Sequence, residues 1–143
     1  MEQDGEWAAA VGDSVGRILR CGVDSRSLCI ETLDASFPLL GPVIERHGLS
    51  ICLDVGHLFL YGLPFKEWLL LYLDKSAVVH LHGVKAGKDH CAIGTIDPGA
   101  LELLFTMLQS DVTRTRVVTL EIFNEDDLNT SLNIMERSFA WAE

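Results

Sequence analysis

The sequence predicts an α/β chain: an N-terminal helix followed by four strand–helix units with parallel strands. Two observations carry that prediction. Apolar positions switch repeatedly between helical spacing and short strand-like runs. Four of those runs end in a metal-ligand type of residue, namely Cys29-Ile30-Glu31, Cys52-Leu53-Asp54, Val78-Val79-His80 and Thr119-Leu120-Glu121. Side chains alternate across a strand, so the four ligand types share one face and their apolar neighbours the other.

The first element is a helix over about Trp7 to Leu19, where Trp7, Val11, Val15, Ile18 and Leu19 recur at helical spacing and Gly22 supplies a stop. A strand follows at about Ser27 to Thr32. A helix then runs from about Ser36 to His47, interrupted near Gly41-Pro42 and ended by Gly48. Leu49 to Val55 is nearly continuously apolar, as in a strand buried on both faces. Pro64 to Leu73 is the next helix, with Trp68, Leu70, Leu71 and Leu73 expected in the core. The third strand spans Ala77 to Gly83, and Val84 to Thr95 reads as a Gly/Lys-rich loop. Asp97-Pro98 opens a helix with an N-cap and a first-turn proline, its apolar face formed by Leu101, Leu104, Phe105 and Leu108. The last strand, Arg116 to Phe123, leads to a helix capped by Asn124, Asp126 or Asp127 and carrying Leu128, Leu132, Ile134 or Met135, and Phe139.

Residues 1–143 thus read as one partial-barrel domain, since four βα units are half of a (β/α)₈ barrel. An isolated half leaves two sheet edges and an inner face uncovered. The expectation is therefore a fragment, a truncated product or a protomer whose barrel a second chain completes.

The chain has 11 basic and 21 acidic residues, a formal charge of −10. That charge disfavours nucleic acid and anionic membranes and favours a small-molecule substrate. Met1 to Trp7 lacks the cationic and apolar regions of a secretory signal, and the apolar run around Trp68 to Leu73 falls far short of the roughly 20 residues a bilayer needs. A soluble cytoplasmic protein is expected. Cys21, Cys29, Cys52 and Cys91 show no zinc-finger spacing and read as reduced, buried thiols.

If the strands are adjacent, Glu31, Asp54, His80 and Glu121 converge at one sheet end, a donor set for a divalent cation. Without a cation, three carboxylates so close would force proton uptake. Gly56 permits a sharp turn that places His57 near the same pocket, as ligand or substrate contact; otherwise Asp54 caps a helix and His57 is a surface residue. His80 and His82 share a strand face, about 6.6 Å apart by the usual rise. One of them is expected to be a core or supporting histidine, and His80 is the better ligand. Asp89-His90 offers a second metal position or an acid/base, or else is a solvated loop.

These residues resemble a known superfamily. Ile30-Glu31-Thr32, Cys52-Leu53-Asp54-Val55-Gly56-His57, His80-Leu81-His82, Asp89-His90 with Ile93-Gly94, and Leu120-Glu121 are similar in order and spacing to the xylose-isomerase-like TIM barrels, which include sugar-phosphate isomerases and epimerases and the AP endonucleases. The resemblance covers strands five to eight, the C-terminal half of the barrel. It implies Glu31, Asp54, His80 and Glu121 as metal ligands for Zn²⁺, Mn²⁺ or Co²⁺. Within the superfamily, Asp54-Val55-Gly56-His57-Leu58 with Tyr61-Gly62, His80 to Val84 with Gly87 to His90, and Thr119 to Phe123 look most like the cobamide-remodelling phosphodiesterases. That implies metal-dependent hydrolysis of the nucleotide-loop phosphoester of a vitamin B12-type corrinoid, with His57, His82 and His90 positioning the phosphate or protonating the leaving group. A sugar or sugar-phosphate isomerase or epimerase using Glu31 and Glu121 is the alternative, and an inactive half-barrel a third. Two departures stand out: the first four strands of the family are absent, and His82 replaces the asparagine of endonuclease IV.

Overall fold

The computed structural model describes residues 2–111 and 113–139. Helix α1 (Glu2–Arg20) precedes a short strand β1 (Cys29–Glu31), and helix α2 (Gly41–His47) follows a single 3₁₀ turn. Gly48 ends α2 in the left-handed region at φ 61°, a backbone conformation that costs glycine nothing. Strand β2 (Ser50–Asp54) leads into helix α3 (Val55–Leu60), and helix α4 (Phe65–Tyr72) precedes strand β3 (Ser76–Leu81). Strands β4 (Gly83–Lys85) and β5 (Lys88–Cys91) form an antiparallel pair before helix α5 (Pro98–Ser110). Strand β6 (Val117–Leu120) and helix α6 (Glu125–Ser138) complete the described elements. As expected, Asp97 accepts from Ala100 N–H at 2.9 Å to cap α5, and Asn124 accepts from Asp127 N–H at 3.0 Å to cap α6.

The main sheet has the order β1-β2-β3-β6, and every pair is parallel. Helices flank it. Ile51, Leu53, Val79 and Leu81 on one face are buried in the core, with Ile30, Val118 and Leu120 packed against it. Burial of each such side chain is worth about 1.5–3 kcal/mol, which makes this face the main attachment of sheet to helices. The ligand face is covered unevenly: Cys52 is buried, while Val117 and Thr119 are exposed.

Several sequence expectations need correction. Only Trp68 and Leu73 of the α4 quartet are buried, together with Leu69, whereas Leu70 and Leu71 are each 60% exposed. At about 100° per residue, a helix turning Trp68, Leu69 and Tyr72 inward must turn Leu70 and Leu71 out. Trp7, Ile18 and Leu132 are also exposed. All four cysteines are free as expected, but Cys21 is exposed and Cys29 only partly covered. Among the described residues no helix is long and apolar enough to cross a membrane.

Candidate metal centre

The register explains how four strands deliver ligands to one place. Asp54 pairs directly with His80. Glu31 is level with Cys52, two residues before Asp54, and His80 is level with Thr119, two residues before Glu121. A stagger of two residues keeps side chains on the same face. Glu121 lies just past β6, yet its N–H donates to Leu81 O at 3.2 Å, so the ladder holds it in line.

His80 Nδ1 stands among the carboxylates, 3.2 Å from Glu31 Oε1, 3.4 Å from Glu121 Oε1 and 3.8 Å from Asp54 Oδ2. Ligand atoms of Glu31, Asp54, His80 and Glu121 lie within 4.8 Å of one another. The four strand-end residues are therefore brought together. Two further ligand groups overlap them, Asp54-His57-His82 and His82-His90-Glu121. A dication would offset two of the three carboxylate charges in the first group, and its mixed oxygen and nitrogen donors suit Zn²⁺, Mn²⁺ or Co²⁺.

Asp54 is fully buried and has two jobs. Its Oδ1 accepts from His57 N–H at 2.8 Å, capping α3, while Oδ2 faces His57 Nδ1 at 3.4 Å. Thr32 Oγ1 accepts from Asp54 N–H at 2.8 Å and anchors the strand end. Burial pushes the Asp54 carboxyl upward, but His82 and the His57 N–H outweigh it and hold the group below the usual carboxylate value. Glu31 goes the other way: burial, then the Asp54 carboxylate, push it above its ordinary value against the pull of His80.

His57 is not on a turn or a loop. It occupies the first turn of α3, its side chain only 13% exposed. Gly56 serves a different purpose from the one its sequence suggests. A Cβ there would lie 2.1–2.3 Å from ring atoms of His82, so the bare backbone makes room for that imidazole. His82 is fully buried, and His90 N–H donates to its Nδ1 at 3.1 Å. An N–H can only donate, so Nδ1 accepts and the neutral ring carries its proton on Nε2, 3.2 Å from Asp54 Oδ1 but off the line of a well-formed hydrogen bond. Burial disfavours a charged His82, while Asp54 and the Gly83 carbonyl favour it and leave its pKa above the ordinary value. The Gly83 carbonyl, 3.3 Å from Nδ1, would accept from that nitrogen in a charged ring. His82 thus lies in contact with Asp54 and His90 beneath the surface.

His90 belongs to the β4–β5 hairpin, where the sequence left open a second metal position, an acid/base or a solvated loop. Its φ is +53°, and its Nδ1 donates to Glu121 O at 2.9 Å. The Nε2 atom, 3.5 Å from Asp89 Oδ2, is left as the nitrogen that can exchange a proton or bind a cation. Exposed Phe123 packs on this ring, with centroids 4.5 Å apart, a neighbour the sequence reading missed. Its position two residues after Glu121, on the same strand-face parity, was the available signal.

Among the described residues, the only buried side-chain N or O atoms without a hydrogen bond are Asp54 Oδ2, His57 Nδ1 and His82 Nε2. All three belong to this cluster. Unpaired buried polar atoms are costly, each about 1–3 kcal/mol, and their residues, Asp54, His57 and His82, form one of the ligand groups. Comparison with family models, with curated proteins and with solved structures finds no match to the chain.

Proposed function

We propose that this chain holds a divalent cation between Glu31, Asp54, His80 and Glu121 and hydrolyses a phosphoester of a small molecule. The resemblance of its motifs names the substrate as a cobamide and the bond as its nucleotide-loop phosphoester. The observation that carries the reading is the gathering of three carboxylates and an imidazole within 4.8 Å of one another, with the buried Asp54 Oδ2 among them lacking a hydrogen bond. A divalent ion bound there supplies Lewis-acid polarisation of a phosphoryl oxygen and lowers the pKa of water. In the reaction a water oxygen bonds to phosphorus, the bond from phosphorus to the alcohol oxygen breaks, and that oxygen takes a proton. His90, its Nδ1 tied to Glu121 O, offers Nε2 for that transfer, and His57 lies close enough to orient the phosphate.

We read the four consecutive parallel strands as neighbouring strands of a (β/α)₈ barrel, its C-terminal half, in a cytoplasmic protein with reduced thiols. A second chain or further strands would complete the wall. Incubation of the folded, metal-loaded protein with a cobamide is expected to release the lower-ligand nucleoside. A folded, metal-loaded protein that releases none would sink the hydrolase reading. The isomerase or epimerase reading draws on one observation, that Glu31 and Glu121 approach His80 from the two outermost strands. Deuterium uptake from solvent into a ketose would select it. Metal binding without either reaction would leave the inactive half-barrel.

A further inference from the structure

We propose that the groove between α1 and α2 is a binding site for a small polyanion carrying phosphate groups, separate from the metal centre. The groove has a volume of about 720 Å³ and is lined by Arg17, Arg20, Arg46 and His47. That volume is of the size that accepts small organic ligands. Arg17 and Arg20 come from the last turn of α1, and Arg46 and His47 from the last turn of α2. Helix C-termini attract cations, and one at each end would satisfy the dipoles. Here two helices direct their cationic ends into one groove.

These guanidiniums are also unspent. Arg26 and Arg116 each pair with an aspartate, at 3.1 Å and 2.7 Å. Among the described residues, Arg17, Arg20 and Arg46, like Arg114 and Arg137, form no ion pair, although the chain carries a net charge of −10 and Asp13 lies in the same groove wall. Gly16 opens the floor: the place its Cβ would take lies 3.4 Å from Arg20 Nη1 and 3.9 Å from His47 Cε1. Arginine presents a planar fork that meets phosphate oxygens in pairs, so three free forks around a bare helix surface match a ligand with several phosphate oxygens.

Titration calorimetry of the metal-free protein with inorganic pyrophosphate at fixed ionic strength tests this. Saturable binding is expected, weakened at least about tenfold in Arg17→Gln/Arg46→Gln, since charge-assisted hydrogen bonds carry effects of that order. Arg17→Lys/Arg46→Lys keeps part of the affinity, and Lys85→Gln/Lys88→Gln keeps all of it. Both arginines are exposed, so circular dichroism of the variants is expected to match the parent. Absence of saturation, binding unchanged in Arg17→Gln/Arg46→Gln, or binding lost in Lys85→Gln/Lys88→Gln instead would each overturn the proposal. None of these results bears on hydrolysis at the metal centre, so the two readings fail separately.

Discussion

Gly56→Ala isolates the packing that holds the candidate centre together. Alanine is ordinarily the better helix residue by up to about 1 kcal/mol, so propensity alone forecasts a gain in α3. The structure forecasts a loss. The new Cβ would stand 2.1, 2.2 and 2.3 Å from Cε1, Nδ1 and Nε2 of His82, whose ring is fully buried. Overpacking of this kind costs about 1–3 kcal/mol, and displacing His82 also strips the His90 N–H of its partner, about another 1–3 kcal/mol. After the helix gain, a net loss of about 3 kcal/mol is expected, roughly 10 °C in Tm for a domain of this size. Urea unfolding of Gly56→Ala, His82→Ala and the double variant measures it. The cost of Gly56→Ala should vanish when His82 is already alanine. An equal cost in both backgrounds, or a stabilised Gly56→Ala, would refute the contact as the reason for the glycine.

Other expectations concern charge, thiols and the core. The raised pKa of Glu31 comes from burial and then from Asp54, so the folded chain binds that proton more tightly than the unfolded one. Its contribution to stability is therefore fullest below the ordinary carboxylate pKa and is lost as pH rises through the raised value. Metal-free Glu31→Gln should melt higher than the metal-free parent at neutral pH and bind divalent metal more weakly, as paired thermal and calorimetric scans can check; a lower melting temperature would reverse the sign of the reasoning. Burial, then Glu31 and Asp54, push the Cys52 thiol up to about 12. Iodoacetamide at neutral pH should label exposed Cys21 first and leave Cys52 unmodified until the chain unfolds, a pattern peptide mass mapping would read. Leu53→Ala, at a fully buried position on the core face of β2, should cost about 2–5 kcal/mol in urea unfolding.

Much of this centre was legible because a strand has period two. Glu31, Asp54, His80 and Glu121 each follow a core-facing neighbour, and that alternation alone placed them on one face. What the alternation could not supply was register, and the two-residue staggers at Glu31 and Glu121 emerge only from the pairing. Gly56 misled for a tertiary reason. Glycine reads as a turn in a single sequence, whereas here it sits inside α3 because His82, far along the chain, occupies the space of a side chain. The β4–β5 hairpin was hidden by its brevity: its strands are three and four residues long, too few for alternation to register. Its local trace in the sequence was Gly87, in a turn where Ala86 and Gly87 both take positive φ, at 53° and 76°. That His82, and not His80, is the fully buried member of the pair could not be read from the sequence, since a polar type at strand spacing carries no sign of its depth.

Metal content measured by equilibrium dialysis and elemental analysis tests the account most directly, comparing the parent with Asp54→Asn. Asparagine is a good N-cap and can still accept from the His57 N–H, so the variant should fold. It removes the charge of the most buried ligand. The parent should hold about one equivalent of Zn²⁺, Mn²⁺ or Co²⁺, and folded Asp54→Asn should hold almost none, since loss of a charged donor costs affinity severely. A parent that binds no divalent ion, or an Asp54→Asn variant that binds as well as the parent, would contradict a metal centre at these strand ends.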